Sequence, residues 1–174
     1  MSSKLVVCDA GPLIILARIE KLSLLRHLFD AVFITPKVQE ECIVDISLPG
    51  AKAIDHAIFE KMLHVLTPAK NFNIENKLLL LDEGEKSAIL LAKELQATLL
   101  IDEKRGRSVA QHLEVRILGT AGLLLRAYQK GLIIDLHICI EEMKNQGYRL
   151  SERLIEGILS HEILLKSEKK SSEK

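Results

Sequence analysis

The sequence predicts an α/β fold in three layers, with a central, mostly parallel sheet held between helices. Three observations predict it. Short apolar runs rich in Val, Ile and Leu recur along the chain, each the length of a fully buried strand. Longer stretches with apolar residues at helical spacing separate them. Asp, Gly, Pro and Thr stand where one pattern gives way to the next. Strands alternating with helices build a parallel sheet covered on both faces.

The elements follow in order. Residues 5–8 form the first strand, stopped by Asp9-Ala10-Gly11-Pro12, and Pro12 suits the first turn of a helix. A helical stripe runs through Leu13, Ile14, Leu16, Ala17 and Ile19, and a second covers residues 22–29. Residues 32–34 form the next strand, and Pro36 opens a helix bearing Val38, Glu41 and Cys42. After a break at Ser47-Leu48-Pro49-Gly50, an amphipathic helix at 51–62 leads to a short strand at 64–66. Residues 71–77 read as a polar loop. Asp82 is the expected N-cap of a helix through Ala88, Ile89, Leu91, Ala92 and Leu95, with Glu85 its capping-box partner. Strands at 98–101 and 115–118 flank a helix at 104–113. A helix at 121–130 is closed by Gly131 as a glycine at C′ would close it. Two helices follow, at 135–145 and 151–166, the last capped by Ser151. The tail at 167–174 has no apolar residue and is expected to be disordered.

At 174 residues the chain has the length of one domain with an appendage. The expected division is a domain at 1–132, a helical appendage at 133–166 packed on it, and the tail. Lys+Arg and Asp+Glu both number 24, which excludes a globally basic nucleic-acid binder but not a local basic patch. Aromatic residues make up 3%, too few for a stacking platform for single strands. No apolar run approaches the ~18–20 residues that span a membrane, and the start shows no secretory pattern. Cys8, Cys42 and Cys139 are scattered and without a CxxC pair, which fits buried thiols in a reducing cytoplasm.

Two strands end in an acid, Val7-Cys8-Asp9 and Leu100-Ile101-Asp102. Open α/β sheets bind ligands beyond the carboxyl ends of their strands, where strand order reverses. If these strands are neighbours there, Asp9 and Asp102 face one crevice, and Glu41 and Glu85 can point into it. Carboxylates that close repel one another unless a cation joins them. Hard oxygen ligands suit Mg²⁺ or Mn²⁺, which serve phosphodiester cleavage. Each acid also has a plainer use: Asp9 and Asp102 as turn or cap residues, Glu85 as a capping partner, Glu40-Glu41 as a solvated face.

The segment Val7-Cys8-Asp9-Ala10-Gly11-Pro12-Leu13-Ile14 resembles the opening of PIN domains, metal-dependent nucleases of the VapC-like toxin kind and their small prokaryotic relatives. Pro36-Lys37-Val38-Gln39-Glu40-Glu41 is similar to the helix bearing their second acid. Gly84-Glu85-Lys86-Ser87-Ala88-Ile89 resembles the helix start bearing the third. Leu100-Ile101-Asp102-Glu103-Lys104-Arg105-Gly106-Arg107 resembles the strand and loop bearing the fourth. Leu118-Gly119-Thr120-Ala121-Gly122-Leu123-Leu124 is similar to the turn where the family places a Ser or Thr beside the metal.

The resemblance implies a PIN-like metal-dependent ribonuclease, extending to the toxin of a toxin–antitoxin pair. Asp9, Glu41, Glu85 and Asp102 would hold one or two Mg²⁺ or Mn²⁺ ions, with Glu103 as auxiliary ligand. Thr120 would orient water or phosphate. Glu40 competes with Glu41, and Glu103 stands where a second Asp is common. Lys104, Arg105 and Arg107 follow Asp102 and could grip RNA phosphates, with an ordinary solvated helix start as the alternative. The apolar faces of the late helices offer a homodimer interface or an antitoxin-binding groove, against simple core packing. The competing function is a non-catalytic PIN-like domain that binds RNA or protein. A receiver-like phospho-acceptor fits poorly, because Asp9 stands alone after its strand and no Lys follows Leu118. A P-loop enzyme is excluded by the lack of GxxxxGK[ST].

Overall fold

The computed structural model describes residues 4–69, 81–151, 154–158 and 160. Two compact units, residues 1–119 and 120–174, make up the chain. That division falls ahead of the boundary expected at 132. The loop at 71–77 and the tail at 167–174 lie outside the described residues, as does most of the helix expected at 151–166. Of that helix, residues 154–158 and 160 are helical, and Ser151 Oγ accepts the Leu154 N–H at 3.3 Å, as its capping role requires.

Among the described residues, the first unit has five parallel strands, β1 (Leu5–Cys8), β2 (Ala31–Ile34), β3 (His64–Val65), β4 (Thr98–Leu100) and β5 (Ile117–Leu118). Among the described residues their order is β3-β2-β1-β4-β5, and each neighbouring pair is parallel. Strand order therefore reverses between β1 and β4, where Cys8 stands opposite Leu100. Val6, Val7, Cys8, Leu99 and Leu100 are fully buried. A parallel sheet covered on both faces leaves no polar side, so its strands read as unbroken apolar runs.

Among the described residues, six helices accompany these strands: α1 (Ala10–Arg18), α2 (Leu24–Leu28), α3 (Pro36–Ile43), α4 (Ala51–Phe59), α5 (Glu83–Glu94) and α6 (Lys104–His112). The core contains Leu13, Ile15, Leu16, Leu25, Ile54, Ile89 and Leu91, all fully buried. Pro36 sits in the first turn of α3, where its missing N–H costs nothing. Asp82 caps α5, accepting the Glu85 N–H at 2.7 Å as the capping-box pattern predicts.

The second unit opens with α7 (Thr120–Gln129) and α8 (Leu136–Asn145). These two helices pack on each other. Gly131, at φ +70°, follows α7 in the left-handed conformation that the sequence predicts for its C′ position. Asp135 caps α8 through the Ile138 N–H at 3.1 Å. Cys8, Cys42 and Cys139 are all buried and form no disulfide.

Candidate active site

Asp9 leaves β1 as the N-cap of α1, and its own N–H donates to Leu100 O on β4 at 3.0 Å. That bond fixes Asp9 at the point where strand order reverses. The side chain is only 7% exposed, and its Oδ1 has no hydrogen-bond partner. Burial pushes the carboxyl up to about 7. The Ala10 N–H offsets part of this, while Glu85, Asp82 and Glu41 push further upward. A buried acceptor without a donor is costly and uncommon in native folds, so an unsatisfied Oδ1 calls for an explanation.

Glu41 comes from the second turn of α3. A Cβ placed on Gly84 would lie 2.5 Å from both Glu41 carboxylate oxygens, so this carboxylate rests directly on the first turn of α5. Burial raises its pKa first, then Asp82; Lys37 works against them. Glu40 and Glu41 point different ways. Glu40 turns outward to an exposed ion pair with Lys37 at 2.8 Å.

Glu85 is buried at 7% exposure in the first turn of α5. Its pKa is raised by burial, then by Asp82, with Glu103 and Glu41 adding to the effect and the Asp82 N–H opposing it. The last interaction is the second half of the capping box, so Glu85 fulfils its plain structural use and still contributes to the acidic cluster. Its Oε1 would lie 3.1 Å from a Cβ on Gly106, in α6. Small residues at 84 and 106 thus make room for the carboxylates of Glu41 and Glu85.

Asp102 is half-buried just beyond β4. A Cβ on Gly119 would sit 3.0 Å from its Oδ1 and 2.9 Å from Arg107 Nη1, so both side chains close over Gly119. Arg107 also donates from Nη1 to Ile101 O at 3.2 Å. It is therefore turned inward beside Asp102, whereas Lys104 and Arg105 are exposed. Glu103 is exposed and caps α6, accepting the Arg105 N–H at 2.9 Å. Thr120 opens α7 in the second unit and is buried.

Asp82 is the residue that sequence reasoning undervalued. It caps α5 as its spacing predicts, and its charge also raises the pKa of Asp9, Glu41 and Glu85. The signal was present, since an Asp-x-x-Glu capping box among other acids must add its own charge to theirs. The negative field reaches Cys42, whose thiol is pushed up to about 12 by burial and then by Asp9 and Glu41.

The donors fit a hard divalent cation in kind, being carboxylate oxygens with an unsatisfied Oδ1 among them. They do not stand as a closed set: among the described residues, no three His, Cys, Asp or Glu side chains form a ready-made metal-ligand group. Asp82 and Glu103 are turned to helix N–H groups, and Glu41 rests on Gly84.

A parallel α/β domain with acids at its switch point is the class that this geometry defines. A family model described as a PIN domain matches residues 5–162, and the chain belongs to that family. PIN domains are generally nucleases and generally use divalent metal ions, so the fold is of a nuclease type. Among solved structures, the chain is similar to a PilT N-terminus domain protein from the hyperthermophilic archaeon Sulfolobus solfataricus P2. The two share 21% identity at a TM-score of 0.51, over 71% of this chain and 92% of that one. That likeness supports the fold. No curated protein matches the chain. Among the described residues, no helix is long and apolar enough to cross a membrane.

Proposed function

We propose that this protein is a divalent-metal-dependent ribonuclease that hydrolyses RNA phosphodiester bonds at the acidic switch-point crevice. The observation that carries the proposal is Asp9 Oδ1, buried without a hydrogen-bond partner among Glu41, Asp82 and Glu85. Asp9, Glu41, Glu85 and Asp102 would hold one or two Mg²⁺ or Mn²⁺ ions, with Glu103 auxiliary. Bound there, the ion supplies positive charge that lowers the pKa of water and stabilises charge developing on phosphate. Asp9 is the inner ligand in this reading, since its burial favours any cation that restores a partner. Lys104 and Arg105, exposed beside Asp102, would hold the RNA backbone as salt-sensitive phosphate contacts. Arg107, turned to Ile101 O, would steady the Asp102 segment, and Thr120 would orient water or phosphate.

The natural setting in this reading is the toxin of a toxin–antitoxin pair, with an antitoxin protein and a second copy of the chain as partners. One observation favours the alternative, a non-catalytic PIN-like domain that binds RNA or protein: the acids do not form a closed ligand set. Cleavage of labelled RNAs and single-stranded DNAs decides between them, run with Mg²⁺, Mn²⁺ or EDTA. Metal-dependent cleavage of RNA that falls at least ~10²-fold in Asp9→Asn supports the ribonuclease. Folded wild-type protein that neither cleaves with any metal nor gains thermal stability from one supports the binding domain.

A further inference from the structure

We propose that Thr35 and Ser87 act as positioning residues that set the spacing between Glu41 and Glu85. This rests on reading the crevice as a divalent-metal site. Thr35 is fully buried at the junction of β2 and α3. Its Oγ1 accepts the Val38 N–H at 3.3 Å and lies 2.7 Å from Ser87 Oγ. Ser87 Oγ donates to Gly84 O at 2.9 Å.

The direction of every bond follows. Ser87 has one hydroxyl proton and gives it to Gly84 O, so Thr35 is the donor to Ser87. A single chain of hydrogen bonds then runs from the Val38 N–H through Thr35 and Ser87 to Gly84 O. It starts one turn before Glu41 on α3 and ends at the residue before Glu85 on α5. Gly84 is also where the Glu41 carboxylate rests, 2.5 Å from where a Cβ would stand. Two separate contacts therefore meet on Gly84, one through backbone and hydroxyls and one through the acid itself.

A hydrogen-bond chain of defined direction holds its donors and acceptors within a narrow range of distance and angle. Metal–ligand distances must hold within about 0.2 Å, so a link that fixes two ligand-bearing helices serves that need. A purely structural Thr35 would act only as the cap of α3.

Ser87→Ala separates the two roles. It leaves the Thr35–Val38 cap in place and cuts the link between helices. Ser87 is only half-buried, and Ala is the better helix former, so the variant will fold. Thr35→Ser keeps every bond of the chain, and Thr35→Val removes both bonds of Thr35 while leaving that of Ser87 to Gly84. The test is Mn²⁺ binding to the full chain by isothermal titration calorimetry, with Tm measured in EDTA for each variant. The expected result is a Kd raised about 10-fold in Ser87→Ala and Thr35→Val, as for loss of a residue that orients metal ligands. Thr35→Ser should bind as the wild type does. In EDTA, Ser87→Ala, which leaves the buried Thr35 hydroxyl without its acceptor, and Thr35→Val should both melt below the wild type. Wild-type Kd in both Ser87→Ala and Thr35→Val would overturn the positioning role while leaving the metal site standing. No Mn²⁺ binding by folded wild-type protein would overturn the metal site and the positioning role with it.

Discussion

Beyond the carboxyl end of β1, Asp9 feels the charges of Glu41, Asp82 and Glu85, and Asp102 follows β4, while at the amino ends of the strands four helices finish on Glu20, Lys61, Gln96 and Glu114. Those four residues have φ between +51° and +60°. Each closes its helix as a glycine would. After α5, the Gln96 N–H reaches Lys93 O and the Ala97 N–H reaches Ala92 O; after α6, Glu114 and Val115 do the same to Gln111 and Ala110. A side chain in this conformation costs about 1–2 kcal/mol. The second unit closes α7 and α8 with Gly131 and Gly147 and avoids that cost. Both ends of the sheet in the first unit are thus held away from their lowest energy, in different currencies: charge at one end, backbone conformation at the other. Only the charged end has a strain that a ligand could relieve. A cleft of about 730 Å³ lined by Arg26, His56, Lys61 and His64 does lie at the amino end, yet none of the crevice acids lines it.

The comparison breaks most visibly at Asp9. Its folded pKa is raised, so the folded state holds a proton that the unfolded state releases. The stability it contributes is full below about 4 and is lost as pH rises through about 7. Burial of Glu41 and Glu85 acts in the same direction. In EDTA, Tm should therefore fall between pH 5 and pH 8, by an amount corresponding to a few kcal/mol. Asp9→Asn should flatten most of that slope, which thermal melts across the pH range will show.

A smaller effect sharpens the geometry. Gly84→Ala puts a methyl group where Glu41 rests, and the flexible carboxylate must move. Stability should hold or rise by up to ~1 kcal/mol, since Ala favours the helix, while Mn²⁺ affinity falls about 10-fold. Calorimetric titration and a melt in EDTA together check both halves.

The amino end gives the smallest effect. Gln96→Gly or Glu114→Gly relieves the left-handed strain but frees the unfolded chain, for a net gain of at most ~1 kcal/mol. Tm should rise by roughly 2–4 °C at this chain length, with metal binding unchanged. Gly131→Ala should lower Tm by a similar amount.

Much of this was legible in the sequence. Asp9 and Asp102 stood out because an apolar run stops at each, and the Asp82–Glu85 box was readable from spacing alone. The parallel sheet followed from unbroken apolar strands. Glu41 could not be told from Glu40 until Lys37 was seen to take Glu40 into solvent. Helix ends at Glu20, Lys61, Gln96 and Glu114 carried no glycine and so gave no signal. The Thr35–Ser87 bond joins residues 52 apart in the chain, and no local pattern announces such a contact. Arg107 looked like its exposed neighbours Lys104 and Arg105, and only the close approach over Gly119 sets it apart.

In the proposed function, Asp9 is held at a cost to stability so that a cation can be bound. Thermal unfolding at pH 8, with EDTA and with saturating Mn²⁺, for wild type and Asp9→Asn, tests it most directly. In EDTA the variant should melt above the wild type, because its buried side chain carries no charge. Mn²⁺ should then raise the wild-type Tm and leave the variant nearly unmoved. A variant that melts below the wild type in EDTA, or one that responds equally to Mn²⁺, would contradict the claim.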